Sequence, residues 1–307
     1  MMSFERILCP VDFSDPSRRA LNYAAALSRW YGAPLIVLHA QANVPVFEMT
    51  GPFGPLGTPP LMQKERDITE ETADLRRFMG TANDPSTEIV VERGDACSEI
   101  LRQAIDRKAD LIVMGTHGRT GLRHVLLGSV TEKIIRNASC PILVVPPHAT
   151  AVGGDASAVF KRIVCATDFS TPSGAALTYA LALAQEADAR LTLLHAIEFP
   201  QALHDIPLPR GAEADRLHAV AEAEYLRRLR VLVPAQARMY CTVAARVSEG
   251  KPARAILRVA DEEQADLVVM GVQGRGTVEL MVFGSNTHAV IREAGCPVLV
   301  VPAPRGA

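Results

Sequence analysis

The chain repeats itself. Residues 9–40 and 165–196 share 17 identities in 32 positions without a gap, and residues 109–146 and 265–302 share 20 in 38, both pairs displaced by 156 residues. A constant offset over segments this far apart requires that both halves fold on one plan, so any architecture proposed for one half must also serve the other. The 307 residues leave room for two domains of ordinary size, each with its own core. The reading is a first domain over 1–146, a linker over 147–158 that contains Gly153-Gly154, and a second domain over 159–303.

Within the first half, apolar runs without polar alternation mark buried strands: Ile7-Leu8-Cys9, Leu35-Ile36-Val37-Leu38, Leu111-Ile112-Val113-Met114 and Ile142-Leu143-Val144-Val145. Thr87 to Glu92 alternates and supplies one more. Between them lie helical stretches at 16–30, 62–79, 96–108 and 129–137. Asp15-Pro16 is the expected start of the first helix, with Asp15 as cap, and Thr171-Pro172 starts its sister. The charges of 62–79, Glu70 and Glu71 among them, read as a solvated face. Strand, helix, strand alternation implies right-handed crossovers and a doubly wound parallel α/β sheet of five strands, built twice. Ligands of such sheets sit beyond the C-terminal strand ends where the strand order reverses.

One motif stands at such an end. Gly115-Thr116-His117-Gly118-Arg119 follows the Leu111–Met114 strand, and after nine residues comes Gly128-Ser129; Gly271-Val272-Gln273-Gly274-Arg275, nine residues and Gly284-Ser285 repeat it. Glycine lets backbone N–H groups approach an anion, and a helix starting near Ser129 would add its N-terminal donors. A phosphate cradle is the reading, strengthened by the duplication. Ser129 and Ser285 are expected as helix caps that a phosphate also contacts. His117, replaced by Gln273 in the second copy, reads as a solvated loop side chain.

Composition narrows the partners. Lys and Arg total 32 against 34 Asp and Glu, and no basic run carries interleaved aromatics, so a nucleic-acid partner is not expected. No apolar run reaches the ~18 residues that a membrane span needs, so a cytoplasmic protein with no membrane partner is expected. The six cysteines form no Cys-x-x-Cys and no zinc-like spacing, and read as small core residues. The Gly- and Pro-rich segment 43–60 reads as a long loop able to close over a ligand.

Pro10-Val11-Asp12, Leu38-His39-Ala40, the glycine bracket through Val130 and Cys140-Pro141 with its strand together resemble a universal stress protein domain, and the resemblance covers nearly all of both halves. It implies an adenine-nucleotide α-hydrolase-like fold, strand order 3-2-1-4-5, with ATP between the first and fourth strands and Mg²⁺ beside the phosphates. Carried over by position, Asp12 with the backbone of Pro10 and Val11 faces the adenine or ribose, and the backbone at His39 and Ala40 edges the base. Gly115, Gly118 and Arg119 border ribose and phosphates, while Gly128, Ser129 and Val130 donate to the phosphates. In the second copy Ala166, Thr167, Asp168, Ala196, Gly271, Gly274, Arg275, Gly284, Ser285 and Asn286 take these roles. That copy departs further from the pattern: Thr277 stands at the position of Gly121, and Asn286 at that of Val130.

No Walker Gly-x-x-x-x-Gly-Lys-Ser/Thr is present, nor a base paired with a nucleophile, so the expected function is an ATP-binding sensor or regulator with at most slow hydrolysis. Two other readings remain open here. One is a nucleotide-free interaction module, and the other a phosphohydrolase or nucleotidyl transferase. The resemblance also implies pairing of the terminal strands 141–145 and 297–301 within the chain, and a homodimer.

Overall fold

The computed structural model describes residues 4–41, 67–82, 84, 86–118, 127–149, 160–198, 212–272 and 284–303. The first half runs β1 (Ile7–Pro10), α1 (Asp15–Tyr31), β2 (Leu35–Gln41), α2 (Ile68–Met79), β3 (Glu88–Arg93), α3 (Ala96–Asp106), β4 (Leu111–Gly115), α4 (Ser129–Asn137) and β5 (Ile142–Val145). The second runs β6 (Arg162–Ala166), α5 (Thr171–Ala187), β7 (Arg190–Ile197), α6 (Ala212–Leu232), β8 (Thr242–Glu249), α7 (Pro252–Glu262), β9 (Leu267–Gly271), α8 (Ser285–Glu293) and β10 (Val298–Val301). The expected loop 43–60 and most of the expected linker lie outside the described residues.

Each half is a parallel sheet in the order 3-2-1-4-5, as expected. The two are one ten-stranded sheet, β3-β2-β1-β4-β5-β10-β9-β6-β7-β8, joined where β5 and β10 run antiparallel with Leu143 opposite Leu299. This is the expected pairing of the terminal strands. It places a local two-fold axis through the sheet, so the C-terminal strand ends of the two halves open at opposite edges.

The strands lack polar alternation because both faces are covered. One face carries a core from Leu21, Ala24 and Leu75 through Leu143 and Leu299 to Leu177 and Leu229, under α1, α2, α5 and α6. The other runs from Ile100 and Ile134 to Ile256 and Val290, under α3, α4, α7 and α8. Both cores cross the β5–β10 seam. Phe4 stacks on Tyr179 across it, centroids 6.2 Å apart. Tyr23 is held near Cys296 and Asp266 of the second half, and burial, reinforced by those groups, pushes its phenol up to about 12. Tyr179 is raised in the same way, by burial and then by Cys140 and Asp110 of the first half.

All six cysteines are buried and unpaired, as core residues. Two expectations need correction. Glu71 belongs to no solvated face, being only 5% exposed. The cap of α1 is Ser14, whose hydroxyl accepts from Ser17 N, and Ser170 does the same for α5; Asp15 and Thr171 already lie inside the helices. Among the described residues no helix is long and apolar enough to cross a membrane.

Candidate functional site

The strand order of the first half reverses about β1, which has β2 on one side and β4 on the other. Beyond its end the chain makes a tight turn. Asp12 Oδ1 accepts from Ser14 N at 3.1 Å and from Ser14 Oγ at 2.5 Å, the side-chain turn that Asp makes with backbone two residues on. Phe13, between them, sits at φ 64°, a conformation that bulky residues rarely adopt, and its ring packs edge-on against His39 with centroids 4.6 Å apart. The second half repeats every part: Asp168 Oδ1 accepts from Ser170 N at 3.0 Å and Oγ at 2.5 Å, and Phe169 has φ 63° against His195. Asp12 and Asp168 therefore stabilise their turns with one carboxylate oxygen, and so hold in place Ser14 and Ser170, the capping residues of α1 and α5.

The second oxygen faces the glycine bracket. A Cβ built on Gly118 would collide with Asp12 Oδ2, so only a bare Cα fits there. Gly115 has another constraint. Its Cβ would lie 2.9 Å from Pro16 Cβ and 3.0 Å from the Pro16 carbonyl, and Gly271 meets Pro172 in the same way at 2.9–3.1 Å. These two glycines let the end of the fourth strand pack against the first turn of the helix that begins at the Asp turn. Gly118 brings the following loop up to the carboxylate.

Gly128 and Gly284, not the serines, are the N-cap residues of α4 and α8. The serines were expected there, but each occupies the first helical position. The first intrahelical bonds run from Glu132 N to Gly128 O at 2.9 Å and from His288 N to Gly284 O at 3.0 Å. Ser129, Val130 and Thr131, and likewise Ser285, Asn286 and Thr287, thus present N–H groups with no carbonyl inside the helix, where the macrodipole favours an anion. Gly128 N donates to Thr116 O at 2.8 Å, which folds the two ends of the bracket together.

His39 Nδ1 lies 2.8 Å from Val11 O, and His195 Nδ1 2.8 Å from Thr167 O. A carbonyl only accepts, so Nδ1 carries the proton in both rings. Val11 N and Thr167 N donate to Leu38 O and Leu194 O, each at 2.8 Å. The backbone N–H and carbonyl of Val11 and Thr167 are therefore both partnered within the chain, against the expectation that the Val11 backbone is free for a ligand. His117 Nδ1 is paired with Thr116 Oγ1 at 2.9 Å. Pro10 and Ala166 close the strand ends β1 and β6. Arg119, Gly274 and Arg275 lie outside the described residues.

The sequence reading missed Thr131 and Thr287. Each is 3% exposed and donates its hydroxyl to the carbonyl of the strand-ending glycine, Gly115 at 3.0 Å and Gly271 at 3.1 Å. Their shared 156-residue offset was the available signal. Thr131→Val removes this bond inside the core, and denaturant titration should show a loss of about 1–3 kcal/mol, with Thr131→Ser close to wild type.

The sequence profile of the universal stress protein family matches residues 3–146 and again 160–302. A universal stress protein of Mycolicibacterium smegmatis is 29% identical over 302 residues, 96% of each chain. The universal stress protein in the QAH/OAS sulfhydrylase 3' region of Thermus aquaticus is 34% identical over 143 residues, 46% of this chain and 98% of its own. Among solved structures, a universal stress protein from Archaeoglobus fulgidus shares the fold with a TM-score of 0.61 at 21% identity, covering 98% of this chain and 100% of that one.

Proposed function

The chain belongs to the universal stress protein family, as a tandem of two such domains, and from this premise we propose that it is an ATP-binding regulatory protein with no or very slow hydrolysis. The observation that carries the proposal is the approach of Gly118 to Asp12. A glycine held against a carboxylate, at the point where strand order reverses, sets an acceptor beside the backbone donors of the α4 start. The carboxylate suits ribose hydroxyls or an amino group, and the bare helix starts at Ser129 and Ser285 suit phosphates. The residues present fit the nucleotide. Mg²⁺, when bound, would neutralise phosphate charge while keeping most of its water.

Each side chain then has a task. Val11 and Thr167 pack against the base from the strand ends. His39 and His195, donating through Nδ1, hold the carbonyls of those residues and so fix the floor on which the base lies. Asp12 and Asp168 anchor the ribose side; Gly118, Arg119, Gly128, Ser129 and Val130 border the phosphates, as do Gly274, Arg275, Gly284, Ser285 and Asn286 in the second copy. Absence of a paired base and nucleophile in the sequence motifs supports retention of ATP over its turnover.

Asp12→Asn tests the carboxylate without dismantling the turn, because the amide oxygen can still accept from Ser14. ATP affinity at the first site should fall about tenfold to a hundredfold, the value of a hydrogen bond to a charged group, while the melting temperature stays near wild type. Unchanged affinity in calorimetry would show that Asp12 serves only its turn. In parallel, protein purified without added nucleotide should release ATP or ADP on denaturation and chromatography.

A further inference from the structure

The outer face of α6 carries exposed apolar side chains. Leu217, Val220 and Val231 are 53%, 68% and 73% exposed, and they share one stripe of the helix with Glu224 and Arg227, at spacings of three and four residues. Further large apolar groups are exposed just past the helix end. Arg238 donates to the Arg230 carbonyl at 2.7 Å, which fastens the next turn to α6, and that turn exposes Met239 and Tyr240 at 69% and 63%.

The sister helix provides an internal control. Leu75 of α2 and Leu229 of α6 are both fully buried under their sheets, which sets an offset of 229 − 75 = 154 between the two helices. The position matching Val231 is then Arg77, which is exposed and paired with Asp74, that matching Glu224 is the exposed Glu70 and that matching Arg227 the exposed Ala73, while the counterparts of Leu217 and Val220 lie outside the described residues. The fold does not demand an apolar outer face here. Among the described residues, the apolar Val231 of the second copy stands where the first has the charged Arg77.

The charges indicate the occupant. Asp215, Glu222 and Glu224 outnumber Arg216 toward the start of α6, while Arg227 and Arg230 lie toward its end and Arg228 is turned over the Phe169 ring. Glu224 and Arg227 already pair within the chain at 2.8 Å. We propose that α6 forms an antiparallel, two-fold symmetric pair with α6 of a second chain. Val220 of each chain lies opposite Val231 of the other, and Glu224 of each opposite Arg227 of the other, since 220 + 231 and 224 + 227 both equal 451. Such an isologous pairing sets acidic half against basic half and opposes the helix dipoles. One helix face per chain buries less than about 1,200 Å² in total, so the dimer is weak and reversible.

The full-length protein should show a monomer–dimer equilibrium in analytical ultracentrifugation that weakens with salt. Val231→Glu should weaken it at least tenfold. Glu224→Arg and Arg227→Glu should each be monomeric alone, since like charges then meet across the pair. An equimolar mixture of those two variants should dimerise, because only there do opposite charges face each other on both sides. All three positions are exposed, so circular dichroism and melting temperature should not change. A wild-type protein that stays monomeric would overturn the proposal. So would a dimer insensitive to these variants, or a mixture that fails to associate.

Discussion

Gly118→Val should empty the first ATP site while leaving the second intact. Any side chain at 118 must displace Asp12 Oδ2, and that carboxylate cannot rotate cheaply because its other oxygen is held by both the amide and the hydroxyl of Ser14. Either the Asp turn opens or the loop moves away from it. Overpacking of this kind costs about 1–3 kcal/mol, so affinity should fall about tenfold to a hundredfold even for Gly118→Ala, and further for valine. Calorimetry at ligand concentrations that saturate the wild type should count one nucleotide fewer per chain. Gly115→Ala makes a useful contrast. There the clash is with the Pro16 backbone, 3.0 Å away, so stability should fall as well as binding.

A second large effect is expected in alkali. Burial pushes the thiols of Cys140, Cys165 and Cys296 each up to about 12, and that of Cys9 further still. In the unfolded chain these thiols ionise near their ordinary value of about 8.5. The unfolded state therefore binds fewer protons as pH rises, and stability that is fully present below about pH 8.5 is lost progressively toward pH 12. Each thiol contributes a slope of about 1.4 kcal/mol per pH unit in that window, so four together give about 5–6 kcal/mol per unit. That is comparable with the whole stability of an ordinary domain, about 5–15 kcal/mol. Urea midpoints should be nearly level up to about pH 8.5 and then fall steeply. Cys97 and Cys241 are raised by burial as well, so Cys140→Ala with Cys296→Ala should lower the slope by about a third to a half, and a flat profile up to pH 11 would show that these thiols do not control alkaline unfolding.

Most of the fold was legible because its signals are local and doubled. The apolar strands needed no partner to be recognised, and the 156-residue offset turned each ambiguous segment into two observations of one element. The end of β4 at Gly115 and the start of α4 at Ser129 both follow from glycine placement. What the residues alone could not reveal is which of several neighbouring polar groups takes each bond. Asp15, Ser14 and Asp12 are all competent caps, and the outcome depends on the left-handed Phe13, which turns Ser14 toward the helix and Asp12 back onto Ser14. The same limit applies at Gly128-Ser129, where the glycine takes the cap position. Thr131 escaped notice because a threonine inside a helix carries no signal until its distance to Gly115 is known.

The Asp turn and the glycine at the end of the fourth strand, which frame the candidate site, were legible in both copies, while Gln273 and Thr277, where the second copy drifts, lie outside the described residues. Gly115 and Gly271 changed meaning, since both are required by packing against Pro16 and Pro172 whatever the ligand. Gly118 gained meaning, as the point where loop and carboxylate meet. Burial of Glu71 was hidden by the charged run around it, because a helical face cannot be assigned to one residue among so many charges.

The most direct measurement is a calorimetric titration of the full-length protein with ATP-Mg, after any bound nucleotide has been removed, with turnover followed in the same samples. Saturable binding of two nucleotides per chain is expected, with hydrolysis far below about 1 s⁻¹, the lower edge of ordinary enzyme turnover. No binding of any adenine nucleotide, or turnover well above that rate, would contradict the proposed function.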